Sequence, residues 1–288
     1  MKASKHTFPV IGGHVSAAGG IQNSVQNGLD IGAEVIQIFG ASPRQWSARE
    51  PSKAAYAEFK KKFSLSKLHS VFLHAPYLIN LGSPDGNIYE KSVRCLSLHL
   101  SIAENIGATG LIFHPGSGKE ITKEKTLAQI AKGVRAVLAN VPGNAKIIIE
   151  NTAGGGTKTG ATLDEIAVLL SLSKNARVGV CFDTAHAFES GLLPKFNPKN
   201  IASLFDEFDK TIGIANLLAI HANDSMTESF SYHDRHENIG RGKIGIRGFR
   251  ALAHEKRLKK IPWILEVPGM KNMGPDRENI NILKKCFS

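Results

Sequence analysis

The 288 residues carry 42% hydrophobic side chains, enough to bury a large core, and the length allows one barrel-sized domain or two smaller ones. Lys and Arg number 36 against 25 Asp and Glu; the net charge of +11 and pI near 9.6 favour a polyanionic partner, nucleic acid foremost. Cys95, Cys181 and Cys286 are odd in number and form no Cys-x-x-Cys pair, which argues against a disulfide framework, and no stretch approaches a membrane span or a secretory leader; a cytoplasmic protein is expected.

In chain order, short apolar runs recur: Val10 to His14, Val35 to Phe39, Val71 to His74, Leu111 to His114, Ile147 to Glu150, Val178 to Asp183, Leu217 to His221 and Trp263 to Glu266. Near-continuous apolar runs of this length are the mark of parallel strands covered on both faces. The segments between them read as helices. In Tyr89 to Ile106, apolar residues return at three- and four-residue steps, and Gly107 stands where a C-cap belongs. Eight β-then-α units without a linker predict an α/β fold, a single (β/α)8 TIM barrel spanning residues 1–288, with its functional face at the C-terminal ends of the strands. An open doubly wound sheet is the alternative.

From the third run onward each ends in a metal-binding residue type: His74, His114, Glu150, Asp183, His221 and Glu266. Alone, each reads as hydrogen-bonded structure or a helix cap. In a barrel all six face one mouth, and burying several carboxylates together without cations costs several kcal/mol per group, so the set implies bound metal. Asp183-Thr184-Ala185-His186 adds His186, and the Asp-x-His pair Asp234 and His236 points to one side if its backbone is extended. Five His and four carboxylates favour zinc, with manganese or iron as the alternatives and against calcium or magnesium, and nine ligands suit two or three ions in one pocket.

The segments Gly13-His14-Val15-Ser16-Ala17-Ala18-Gly19-Gly20, Tyr77-Leu78-Ile79-Asn80-Leu81-Gly82, His114-Pro115-Gly116-Ser117, Glu150-Asn151-Thr152-Ala153-Gly154, Asp183-Thr184-Ala185-His186-Ala187, His221-Ala222-Asn223-Asp224, Asp234-Arg235-His236 and Leu265-Glu266 resemble those of endonuclease IV, the zinc-dependent apurinic/apyrimidinic endonuclease family. The resemblance implies three zinc ions per chain. One is held by His74, His114 and Glu150; a second shares Glu150 and adds Asp183, His221 and Glu266; the third takes His186, Asp234 and His236. It further implies double-stranded DNA containing abasic sites as partner, hydrolysis 5′ to the lesion leaving a 3′ hydroxyl and a 5′ deoxyribose phosphate, trimming of blocked 3′ ends, and Glu150 as the catalytic bridging carboxylate. By the same resemblance Arg44 and Gln45 enter the minor groove, and Tyr77 and Leu78 fill the gap left by the rotated nucleotide. Ser42-Pro43 stands where the family commonly has Asn followed by Gln or Pro, so a backbone contact of that Asn does not carry over.

His233 is the rival to His236 but lies outside the Asp-x-His pattern. Gly154 to Gly160 fails the phosphate-loop pattern and reads as a flexible loop beyond the fifth strand, while Lys60 to Lys62 and Lys256 to Lys260 read as solvated helix ends. Competing functions are a metal-dependent sugar isomerase or epimerase on the same barrel, and a DNA-binding protein with structural metal only. A monomer is the simplest expectation.

Overall fold

The structure, a computed structural model, describes residues 8–43, 45–46 and 49–288. Its strands are β1 (Ile11–His14), β2 (Val35–Phe39), β3 (Ser70–His74), β4 (Gly110–Phe113), β5 (Lys146–Glu150), β6 (Val178–Asp183), β7 (Leu217–His221), β8 (Asp224–Ser225), β9 (His236–Glu237) and β10 (Trp263–Leu265). The helices are α1 (Asn23–Asp30), α2 (Lys53–Leu65), α3 (Gly86–Ile106), α4 (Lys123–Asn140), α5 (Leu163–Ser173), α6 (Thr184–Glu189), α7 (Pro198–Thr211), α8 (Gly245–Ala253) and α9 (Arg277–Lys284). Eight parallel strands close in the order β1-β10-β7-β6-β5-β4-β3-β2, and β8 pairs antiparallel with β9 as a small ribbon above the barrel. The expected TIM barrel is present, and every predicted strand is found, with ends shifted by at most one residue.

Helix ends follow their local chemistry. Asp85 caps α3 by accepting from the Asn87 and Ile88 amides, and Gly107 closes it at φ 73°, the left-handed geometry in which a Cβ is costly. No described helix is long and apolar enough to cross a membrane. Cys95, Cys181 and Cys286 are buried and free, and burial pushes the Cys181 thiol up to about 12, leaving it inert at neutral pH.

Two apolar layers form, one on each side of the sheet. Between strands and helices lies the larger one, with Ile36, Leu73, Phe113, Ile149, Phe182 and Trp263 among its members. Inside the barrel, Val35, Phe72, Ile112, Ile148, Cys181, Ala219 and Ile264 form a plug, one residue from each of seven strands. Gly12 supplies the eighth position, where a Cβ would run into the Val35 carbonyl. Because side chains alternate along a strand, the residue two further on also faces inward. Applied to all eight strands, this rule builds the next ring upward from His14, Gln37, His74, His114, Glu150, Asp183, His221 and Glu266.

Two sequence expectations need correction. The glycine-rich loop is pinned rather than loose: Lys123 Nζ donates to the Lys158 carbonyl at 2.8 Å, Thr159 N to the Gly116 carbonyl at 3.0 Å, and the Gly160 and Ala161 amides to Glu165. Residues Lys256–Leu258 form a 3-10 turn, not a helix end, with Arg257 held by Glu255 and Asp206.

Candidate metal centre

Of the ring residues, His74, Glu150, Asp183 and His221 are the last residues of their strands, while His114 and Glu266 fall one residue beyond β4 and β10. His186 is brought in by α6, which starts directly on β6 and is capped by Asp183, whose Oδ1 accepts from the His186 amide at 2.8 Å. The ribbon supplies the rest: Ser225 of β8 pairs with His236 of β9, holding the chain extended so that Asp234 and His236 turn to the same side, Oδ1 to Nε2 at 3.4 Å.

Asp224 fixes this ribbon against the barrel. Its buried carboxylate accepts from the amides of Ser225, Gly240, Gly242, Ile244 and Gly245. Replacing it with Ala would strand several buried N–H groups, at a cost of about 3 kcal/mol.

Glu150 is the centre. Its Oε2 lies 3.1 Å from His74 Nε2 and 3.2 Å from His114 Nε2, and its Oε1 lies 2.9 Å from His221 Nδ1 and 3.3 Å from His186 Nδ1. His221 Nδ1 also lies 3.2 Å from Glu266 and 3.8 Å from Asp183. Potential ligand atoms gather into three groups: His74, His114 and Glu150; Glu150, Asp183, His221 and Glu266; and Asp183, His186 and His236. The first two have the composition expected from the sequence. In the third, Asp183 joins the two histidines, and Asp234, partly exposed, reaches His186 Nε2 at 3.3 Å and His236 Nε2 at 3.4 Å from the other side.

The ring nitrogens also point to metal. His74 Nδ1 and His186 Nδ1 donate to the Ala75 and Asn151 carbonyls at 2.8 and 2.9 Å, leaving Nε2 bare and facing the cage. The Nε2 atoms of His186 and His236 are buried without a hydrogen-bond partner. A cluster of buried carboxylates with imidazole nitrogens aimed among them has the donor chemistry of a cation site, and these donor types are ones that bind zinc. His233, the rival, is exposed and outside all three groups.

Protons bind these residues when metal does not. Burial alone would raise the Glu150 carboxyl, but His221 and His114 hold it well below the carboxylate range; burial alone would lower His221 and His186, but the surrounding acidic groups raise both well above 6.5. The histidines therefore stabilise the metal-free fold below pH 6.5, and that contribution is lost as pH rises through their raised folded values. The carboxylates Glu150 and Glu266 contribute above 4.5 and lose it as pH falls through their depressed values. Calorimetry of chelator-treated protein should accordingly find the cage's contribution greatest between pH 4.5 and 6.5 and declining above; melting temperatures that climb steadily from pH 6.5 to 9 would refute this.

Two further ring members were missed from sequence. His14 ends the first apolar run, and Gln37 is a polar residue inside the second; both lie in the cage wall, Gln37 bonded to His221 and Glu266. Asn223, present in a quoted segment but given no role, donates from Nδ2 to Asp183 Oδ2 at 2.7 Å and accepts the Glu266 amide at 2.7 Å. The signal for the first two was their strand register.

A cleft of about 1380 Å³ opens over the cage, with His14, Tyr77, His114, Glu266 and Met273 in its walls. Tyr77 is 71% exposed at its rim, 5.6 Å from Phe39 between ring centroids, and Leu78 is half-buried beside it. Gln45 is exposed, and Arg44 lies outside the described residues.

The family described as a xylose isomerase-like TIM barrel matches residues 25–286. A protein named probable endonuclease 4 from Aquifex aeolicus is 35% identical over 283 residues, covering 96% of this chain and 98% of that one. The crystal structure of endonuclease IV from Thermus thermophilus superposes with a TM-score of 0.85 at 32% identity, covering 96% and 98% of the two chains. The chain belongs to the endonuclease IV family. A D-tagatose 3-epimerase-like protein shares the fold at a TM-score of 0.69 but only 18% identity, so endonuclease IV kinship extends to sequence where the epimerase likeness is one of fold.

Proposed function

We propose that this chain is a zinc-dependent DNA-repair endonuclease that hydrolyses the phosphodiester 5′ to abasic sites in double-stranded DNA, leaving a 3′ hydroxyl and a 5′ deoxyribose phosphate, and that it also trims blocked 3′ ends. The observation that carries the reading is the convergence of nine ligand-type side chains on one cleft mouth in a chain that matches an endonuclease IV relative over 96% of its length. On this reading His74, His114 and Glu150 hold one zinc, Glu150, Asp183, His221 and Glu266 a second, and His186, Asp234 and His236 a third, with Asp183 close enough to the last group to be shared. Bound zinc would supply a water ionised near neutral pH and positive charge for the departing 3′ oxygen.

The chain's own groups do the rest. Glu150, whose two oxygens face four imidazoles, keeps a negative charge at the centre and holds its neighbours in register. Asn223 steers the Asp183 carboxylate, and the Ala75 and Asn151 carbonyls fix the tautomers of His74 and His186. Tyr77 and Leu78 stand at the rim as wedges for the gap left by a rotated nucleotide, and Arg44, outside the described residues, and the exposed Gln45 are assigned to the minor groove by the family resemblance. The net charge of +11 draws in the DNA backbone, so binding weakens as salt rises. No Schiff-base lysine is required, hence hydrolysis rather than β-elimination. We take the active form as a monomer.

A labelled duplex with one tetrahydrofuran abasic analogue tests the reading, because the analogue cannot undergo β-elimination. Zinc-loaded protein should cut immediately 5′ of the analogue and leave an end that a polymerase extends. An intact strand, with activity on ketohexoses instead, would move the sugar epimerase reading to the front.

A further inference from the structure

The inward ring above the barrel plug has eight positions, of which six carry the ligand-type residues His74, His114, Glu150, Asp183, His221 and Glu266; the other two are His14 and Gln37. Gln37 is fully buried, its Oε1 2.8 Å from His221 Nε2 and its Nε2 2.5 Å from Glu266 Oε1 and 3.0 Å from His14 Nδ1. We propose that Gln37 is a positioning residue of the metal centre, which selects the His221 tautomer and fixes the Glu266 carboxylate. This rests on the reading that the cage holds zinc.

The amide orientation follows from its partners. A carboxylate oxygen only accepts, so the atom beside Glu266 is the NH2 group, and the carbonyl oxygen is left facing His221. The opposite orientation would press two acceptors together at 2.5 Å. A carbonyl oxygen cannot donate, so His221 Nε2 carries a proton, and Nδ1 is the nitrogen left for zinc once metal displaces the proton there. Nδ1 is the atom that faces Glu150, Glu266 and Asp183. The second amide proton goes to His14 Nδ1, and every polar atom of the Gln37 side chain is thereby used.

This arrangement also sets His221 apart. His74, His186 and His236 direct their Nδ1 atoms at the backbone carbonyls of Ala75, Asn151 and Glu266, which no substitution removes. The outer nitrogen of His221 faces a side chain instead, so its tautomer depends on one replaceable residue. Gln37 couples two members of a single ligand group, His221 and Glu266, and touches neither His74 nor His114 among the described contacts.

The experiment compares wild type with Gln37→Met, which removes all three hydrogen bonds, and Gln37→Glu, which keeps an acceptor for His221 but replaces the donor to Glu266 and His14 with a second acid. Zinc per chain is measured after equilibration with chelators of graded strength, and the cobalt-substituted proteins are compared by visible absorption. Gln37→Met should weaken one ion about 10- to 100-fold and leave the others unchanged, and kcat should fall with little change in KM. Gln37→Glu should fall between Met and wild type. In zinc-loaded wild type, imidazole 15N spectra should show His221 protonated on Nε2, a readout that needs no variant to fold. Superimposable chelator curves for wild type and Gln37→Met, or a proton on His221 Nδ1, would overturn the proposal. Wild type that retains no zinc would instead overturn the zinc reading itself.

Discussion

Glu150→Gln is expected to lower kcat for incision beside an abasic site by about 10³-fold or more, with a smaller effect on DNA affinity. The carboxylate is wholly buried and each of its oxygens serves two imidazoles, His74 and His114 on one side, His186 and His221 on the other. An amide of the same shape offers one acceptor and one donor. Its NH2 would face bare imidazole nitrogens, and the charge that offsets neighbouring cations would be gone. Two of the three ligand groups contain Glu150, so both should bind metal more weakly in the variant. Single-turnover incision of the tetrahydrofuran duplex, with zinc content measured on the same sample, checks this. Incision within tenfold of wild type would show that Glu150 is a bystander in the pocket.

Removal of zinc should abolish incision and lower stability at once. The cage brings together Glu150, Asp183, His221 and Glu266, all but Glu266 with no exposed side-chain surface, and without metal the positive charge facing these carboxylates is that of protonated imidazoles. Each zinc present at a thousand times its dissociation constant stabilises the fold by about 4 kcal/mol. The loss on chelation should therefore be smallest near pH 6 and grow as pH rises above 6.5, where the contribution of the protonated imidazoles falls away. Zinc should restore both activity and melting temperature, and magnesium neither. Full activity after exhaustive chelation would contradict a metal-dependent mechanism.

Most of the barrel was legible because its strands are buried on both faces. Each run therefore lacks the polar alternation that would blur it, and strands such as β3 and β5 could be read from Phe72-Leu73 and Ile148-Ile149 alone. The ligands were legible because charged residues directly after such runs have few structural explanations. Gln37 and His14 were harder to see. A neutral amide in mid-strand carries no charge signal, and His14 ends a run that two glycines interrupt directly before it. Their place emerges only from the period of two, which sets Gln37 above Val35 as His74 stands above Phe72. The ribbon β8–β9 was not foreseen either, since two-residue strands leave no periodicity. Asp234 and His236 were found from their spacing, while the reason they converge, pairing of Ser225 with His236 and the amide cluster on Asp224, is long-range.

Nine residues from the ends of six barrel strands, α6 and the ribbon acting as ligands of a shared metal centre is the claim on which everything else depends. Anomalous diffraction from crystals of the zinc-loaded protein, collected on either side of the zinc edge, tests it directly. Three peaks inside the cleft are expected: one among His74, His114 and Glu150, one among Glu150, Asp183, His221 and Glu266, and one among His186, Asp234 and His236. A single peak, or peaks only at surface histidines such as His233, would contradict the assignment.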